Sequence, residues 1–174
     1  KLAFPGLRVG WLTGPRAVVA RLAELKQVSD LHSDQLSQAV LLRFAASGRL
    51  EAHRARVVAA GAARLAAVVG ACQRMLPPTV RFTRPQGGMN LWVRLPEPLD
   101  ATELLTPARA AGVAYLPGRH FAVSRPEPGG LRLSFAGLQP ERIEAGVARL
   151  SRVFTEEWTR TRATRTSGLA PVIT

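Results

Sequence analysis

The stretch Val80–Pro96, VRFTRPQGGMNLWVRLP, decides the fold class of this 174-residue chain. Apolar residues recur on both sides of Gly87-Gly88, and a glycine pair between two such runs is typical of a turn joining two strands. Helix-like and strand-like segments alternate along the chain around it. The sequence therefore predicts an α/β protein.

Three helices are predicted before this stretch. The first begins after Pro15, and the second is capped at Ser33 or Asp34. The third covers Leu50–Met75, which is rich in alanine and arginine, and Pro77-Pro78 ends it.

A short apolar run precedes these helices. Leu7–Thr13, LRVGWLT, predicts a buried strand that Gly14-Pro15 closes. A single strand needs sheet neighbours, and none lies nearby in sequence. We therefore expect Lys1 to about Asp30 to be the edge of a larger sheet.

Further elements are predicted after the stretch. Asp100 and Glu103 resemble a capping box and predict a helix through Ala111. Residues 112–118 (GVAYLPG) and 131–135 (LRLSF) predict two more strands, separated by a loop.

The last helix is predicted to begin at Pro140 and to be amphipathic. The tail after Trp158 has little apolar pattern, and we expect it to be frayed or disordered. The apolar face of the helix consists of Ile143, Val147, Leu150 and Phe154.

Composition excludes several classes of protein. The formal charge is +12 and arginine dominates it, since Lys1 and Lys26 are the only lysines. A basic balance can indicate nucleic-acid binding, but the arginines are scattered and alanine is abundant, which also suits a compositionally biased genome. A single cysteine, Cys72, allows no internal disulfide. The three histidines are far apart, so no metal site is predicted, and no apolar run approaches membrane-spanning length.

Five motifs in a fixed order carry a family resemblance. They are K-x3-P-G-L-R-V-G-W from Lys1, SGRLEAHRARV, PQGGMNLWVRLP, GVAYLPGRHF and LRLSFAGL. In this order the chain resembles the C-terminal half of a fold-type I, pyridoxal-phosphate-dependent aminotransferase of class I/II. The similarity favours the aminoadipate-aminotransferase-like branch, which includes the MocR-type regulators of the GntR family.

The resemblance implies a domain organisation. Residues 1–32 would be the end of the cofactor-binding large domain, and residues 33–76 the interdomain helices. Residues 77–158 would be the small α/β C-terminal domain, and residues 159–174 a disordered tail.

The resemblance also implies site residues. Lys1 falls where the family carries the lysine that forms a Schiff base with pyridoxal 5′-phosphate. Such an amine must be neutral to attack an aldehyde, and it can then act as general base and acid at the substrate. Arg8 falls on the arginine that binds the cofactor phosphate, and Arg132 on the arginine that binds the substrate α-carboxylate. A guanidinium suits both anions because its planar fork donates two parallel hydrogen bonds.

Weaker matches lie near these positions. Gly118 and Phe121 resemble a loop beside the substrate side chain, although Pro117-Gly118 is equally typical of a turn. We expect Trp92 to be a core residue and His53 to lie on a solvated or inter-subunit face. The remaining cofactor contacts would lie upstream of Lys1.

Three functions stay open from the sequence. In the first interpretation, the parent protein is a cytoplasmic, homodimeric aminotransferase that exchanges an amino group between an L-amino acid and a 2-oxo acid. Alternatively, it is a MocR-type regulator that binds DNA only through an N-terminal module absent from this chain. In the third interpretation, these 174 residues alone are a fragment without activity.

Overall fold

The computed structural model describes residues 3–167, which form two compact units that divide between Ala59 and Ala60. Each unit is described separately below. The predicted domain boundaries, at residues 32, 76 and 158, remain predictions.

The first unit is helical. A 3-10 helix, Pro5–Leu7, precedes α1 (Arg16–Ser29) and α2 (Gln35–Ala46). The first residues of α3 (Arg49–Met75) complete it. No residue between 3 and 59 is buried.

The helix ends of this unit follow the predicted signals. The Asp34 carboxylate accepts a hydrogen bond from the backbone N–H of Ser37 at 2.8 Å, so Asp34 is the N-cap of α2, one of the two predicted caps. Hydrogen bonds from the side chain and then from the backbone N–H of Ser37 lower the pKa of Asp34. Gly48 lies between α2 and α3 and has a φ of +74°, a left-handed conformation that ends a helix and favours glycine.

The predicted strand Leu7–Thr13 is wrong. Leu7 ends the 3-10 helix, Arg8 is left-handed with a φ of 55°, and residues 8–15 have no regular structure. A strand leaves its backbone N–H and C=O groups unpaired unless a neighbouring strand bonds to them, and among residues 3–167 the sheet lies in the other unit.

By length and composition alone, α3 could span a membrane. Its most apolar window has a mean hydropathy of 1.5, contrary to the expectation that no run approaches spanning length. The helix contains many alanines but few large apolar residues, and core helices pass the same test. Val68, Ala71 and Cys72 near its C-terminal end are buried in the core of the second unit, whereas 17% of the apolar window as a whole is buried.

The second unit contains a four-stranded antiparallel sheet. Its strands are β1 (Arg81–Phe82), β2 (Asn90–Arg94), β3 (Leu116–Pro117) and β4 (Gly130–Ser134). Their spatial order is β1-β2-β4-β3. The two strands predicted around Gly87-Gly88 are confirmed as the antiparallel pair β1 and β2.

One face of this sheet packs against helices. Leu91 and Val93 on β2 and Leu131 and Leu133 on β4 point into the core. Beside them lie the end of α3 and two further helices, α4 (Leu105–Ala110) and α5 (Pro140–Ser167).

The helix α5 supplies much of the core. The predicted face is confirmed, since Ile143, Val147, Leu150 and Phe154 are all buried. The helix continues past Trp158 to Ser167, beyond the predicted end of the ordered chain. Residues 168–174 of the predicted tail lie outside the described residues.

Candidate functional site

The outer face of the sheet carries the candidate substrate residue. Because side chains alternate along a strand, Trp92 on β2 and Arg132 on β4 point away from the core-facing leucines. Arg132 lies in register with Trp92 on one side and with Leu116 of β3 on the other. Arg132 is therefore flanked on both sides by large apolar side chains.

The Arg132 guanidinium is partly withdrawn from water. Its Cζ atom lies 4.8 Å from the centroid of the Phe121 ring, which belongs to the 3-10 helix Gly118–Phe121 after β3. Within the described residues, Arg132 Nε is buried and has no hydrogen-bond partner. A buried N–H of a charged group without an acceptor costs free energy, which a cation–π contact offsets only in part. A bound carboxylate would stabilise this guanidinium.

An aromatic pair forms one wall of the Arg132 site. The rings of Trp92 and Phe121 meet edge to face, with centroids 5.8 Å apart and an interplanar angle of 77°. Trp92 is half-buried on the outer face, so the expectation that it is a core residue is wrong.

A carboxylate holds the indole in place. Trp92 Nε1 donates to Glu127 Oε2 at 3.2 Å, and Arg94 Nε donates to the other oxygen of the same carboxylate. Sequence reasoning missed Glu127. The signal available was an acid placed between two prolines in the loop before β4.

Close backbone approach explains the glycines around this loop. A Cβ atom at Gly118 would lie 2.8 Å from the carbonyl oxygen of Gly130. At Gly129 it would lie 2.7 Å from the carbonyl oxygen of Leu95, and at Gly130 it would lie 2.7 Å from Trp92 Cζ2. Any side chain at these positions would push the loop or the indole out of place.

Arg8 lies in the first unit and is exposed. Its Nη1 makes a long contact of 3.4 Å with the carbonyl oxygen of Pro5. Because the predicted strand is absent, burial gives no support for a paired partner at Arg8. The expected phosphate contact therefore depends on the resemblance and on the pocket that Arg8 lines.

This pocket has a volume of about 490 Å³. Phe4, Trp11, Leu41 and Phe44 line it together with Arg8. No acidic side chain pairs with Arg8 in residues 3–167. An unpaired guanidinium beside an apolar pocket fits the phosphate end of an aromatic cofactor.

A ring cluster lies near the pocket in the same unit. His53 packs 5.2 Å from the ring of Phe4 and 5.6 Å from that of Phe44, and it is half-buried. Its predicted place on a solvated or inter-subunit face remains a prediction.

Lys1 lies outside the described residues. Arg8 and Arg132 belong to different units, so the neighbours of each arginine come from its own unit. No group of three or more histidine, cysteine or acidic side chains in residues 3–167 is arranged to hold a metal ion.

The family model "Aminotransferase class I and II" matches residues 1–150. The chain belongs to this family. The resemblance seen in the five motifs is confirmed, and the chain is part of an aminotransferase-like domain.

Curated relatives include enzymes and regulators. The chain is 33% identical to aromatic-amino-acid aminotransferase 1 of Thermococcus litoralis, with 90% of the chain and 38% of the relative covered. It is 38% identical to 2-aminoadipate transaminase of Thermus thermophilus, with 87% and 38% covered. It is also 29% identical to the HTH-type transcriptional regulator YdfD of Bacillus subtilis, with 90% and 32% covered. The chain thus spans less than two fifths of the length of these relatives.

Solved structures have the same fold. The multiple substrate aminotransferase from Thermococcus profundus superposes with a TM-score of 0.79 at 33% identity, over 90% of this chain and 39% of that one. The α-aminoadipate aminotransferase LysN from Thermus thermophilus, complexed with N-(5′-phosphopyridoxyl)-L-leucine, gives 0.74 at 36% identity, over 90% and 40%. The predicted α/β fold class of a pyridoxal-phosphate-dependent transferase is confirmed.

Proposed function

We propose that the parent protein transfers an amino group between an L-amino acid and a 2-oxo acid, and that Arg132 holds the α-carboxylate of both. The observation that carries this proposal is the Arg132 guanidinium, half-buried under Phe121 with Nε lacking an acceptor. A carboxylate is the planar anion that such a fork binds best. Binding it would also fix the direction of the substrate Cα–H bond.

Lys1 and Arg8 are the proposed cofactor residues. When bound, pyridoxal phosphate supplies an electron-withdrawing ring that favours loss of the proton on the substrate Cα. Arg8 would hold the phosphate by charge-assisted hydrogen bonds, and Lys1 Nζ would carry the proton at Cα. The support for Lys1 is its place in the motif K-x3-P-G-L-R.

We further propose that the parent protein is a cytoplasmic homodimer without a membrane partner. Its ligands would be small amino acids and 2-oxo acids. The names of two enzyme relatives give aromatic amino acids and 2-aminoadipate as their substrates, so both substrate classes are candidates.

Borohydride trapping of the full-length protein tests this proposal. Pyridoxal phosphate is added, borohydride is used to fix any adduct, and the modified peptide is identified by mass spectrometry. We expect the adduct on Lys1. An adduct on any other lysine would show that the central assignment is wrong.

A second candidate function is ligand sensing by a MocR-type regulator. The HTH-type relative supports it, because the chain is 29% identical to that regulator over 90% of its own length. Full-length protein that binds an amino acid and a DNA duplex, but releases no 2-oxo acid, would favour regulation. Release of 2-oxo acid without DNA binding would favour the enzyme.

A further inference from the structure

We propose that Glu127 is a positioning residue, which orients the Arg132 guanidinium for carboxylate binding through Trp92 and Phe121. This inference rests on the proposed role of Arg132 as the carboxylate-binding residue. Glu127 itself would not touch the substrate.

Glu127 is fixed by two donors from β2. Its carboxylate accepts the indole N–H of Trp92 and the Nε–H of Arg94, which both point to the outer face of the sheet. The Arg94 ion pair is largely exposed, so solvent weakens its contribution to stability. Its geometric effect remains, because each oxygen of the carboxylate has its own donor from β2, which favours this orientation.

Trp92 is in turn fixed by Glu127. With its N–H held, the indole cannot rotate about its own side-chain bonds without losing that hydrogen bond. Gly130 on β4 leaves space for the ring, since a Cβ atom there would lie 2.7 Å from Trp92 Cζ2 and 3.1 Å from Glu127 Oε2. The indole therefore packs directly on the backbone that leads to Arg132.

Phe121 completes the link to the guanidinium. Its ring meets the Trp92 indole edge to face and also faces Arg132 Cζ. Phe121 is 42% exposed, so Trp92 is an important support for the ring. Loss of that support would let water reach the guanidinium, and a hydrated guanidinium binds a carboxylate less strongly.

The test of this role is how strongly the full-length holoprotein prefers a ligand with an α-carboxylate over the same ligand with a neutral α-carboxamide. Dissociation constants are determined by calorimetry for L-leucine, L-phenylalanine and L-2-aminoadipate, each beside its neutral α-carboxamide. The preference is the ratio of the two constants for the tightest ligand. We expect Glu127→Ala to lower it about tenfold, the size of one hydrogen bond to a charged group.

Three variants separate positioning from folding. Glu127→Gln keeps an acceptor for the indole N–H and should restore most of the preference. Trp92→Phe removes that N–H and should reproduce the loss, with no further loss in the double variant with Glu127→Ala. Glu156→Ala, an exposed acid on α5, is the matched control and should leave the preference unchanged.

Arg132→Ala in the same assay distinguishes the two hypotheses. If it leaves the preference intact, or if no amino acid binds the wild type, the proposed function is wrong. If it abolishes the preference while Glu127→Ala and Trp92→Phe behave as wild type, only the positioning role is wrong. Adding Glu127→Ala to Arg132→Ala should cause no further loss, and an additional tenfold loss would contradict action through Arg132.

Discussion

At the scale of single residues, Arg132 stands out by its environment. A surface arginine is normally hydrated, whereas Arg132 Nε is buried without an acceptor and the guanidinium lies against an aromatic ring. An unsatisfied buried N–H costs about 1–3 kcal/mol, and more when it belongs to a charged group. A carboxylate bound to the guanidinium would offset part of that cost.

Arg132→Ala is expected to raise the KM for the amino acid about 100-fold, the size of two charge-assisted hydrogen bonds. The affinity for pyridoxal phosphate should stay within about twofold, because the phosphate contact is assigned to Arg8. Steady-state kinetics and cofactor titration of the full-length protein measure both. Arg152→Ala, exposed on α5, is the control. Equal losses of substrate and cofactor affinity would instead indicate a structural role.

Cys72 is a second residue whose environment decides its chemistry. Burial raises the pKa of the thiol to about 11 from an ordinary value of 9.0. The thiolate is the reactive form, so we expect iodoacetamide to leave Cys72 unmodified in native protein at pH 8 and to alkylate it in denaturant. Mass spectrometry of the Cys72 peptide measures this. Rapid alkylation under native conditions would contradict the burial.

At the scale of elements, the loop before β4 determines the shape of the site. Gly129 in this loop, with Gly118 and Gly130 beside it, allows backbones to approach more closely than a Cβ atom permits, and Glu127 of the loop bonds to the neighbouring strand β2. The pairing of β2 with β4 then sets Trp92 beside Arg132.

Gly118→Ala is expected to destabilise the protein by about 1–3 kcal/mol, because its Cβ would lie 2.8 Å from a backbone oxygen that cannot turn away. Gly146→Ala in α5 is the matched control. A Cβ atom there meets nothing within 4 Å, so alanine should stabilise the helix by about 0.5–1 kcal/mol. Denaturant unfolding of both variants measures the difference. Equal stability in the two variants would refute the close approach.

Most elements could be predicted from sequence, since their signals are local. Neighbouring residues predict the start of α5 at Pro140 and its apolar face, and they narrow the N-cap of α2 to Ser33 or Asp34. Leu7–Thr13 could not be read correctly, because whether an apolar run forms a strand depends on a partner elsewhere in the fold.

At the scale of the whole molecule, the two units differ in how much they bury. The buried hydrophobic residues belong to residues 68–154, and none lies in the described part of the first unit. Large apolar side chains of α1 and α2, among them Leu22, Leu25 and Val40, remain exposed. Helices without a buried face gain little from packing.

Residues 60–174 expressed alone are therefore expected to unfold cooperatively, while residues 1–59 alone should show little helix and no cooperative transition. Circular dichroism during thermal unfolding measures both. A cooperative transition in the shorter piece would mean that it has a core of its own.

The sequence by itself determined the family, the α/β class, most of the helices and strands and the candidate arginines, because motifs and periodicity are properties of neighbouring residues. Only the tertiary structure decided what surrounds Arg132. Trp92, Phe121, Glu127 and Arg132 come from four separate stretches of chain, and β-sheet register and glycine contacts bring them together. Such contacts depend on distances in space, which local sequence patterns do not encode.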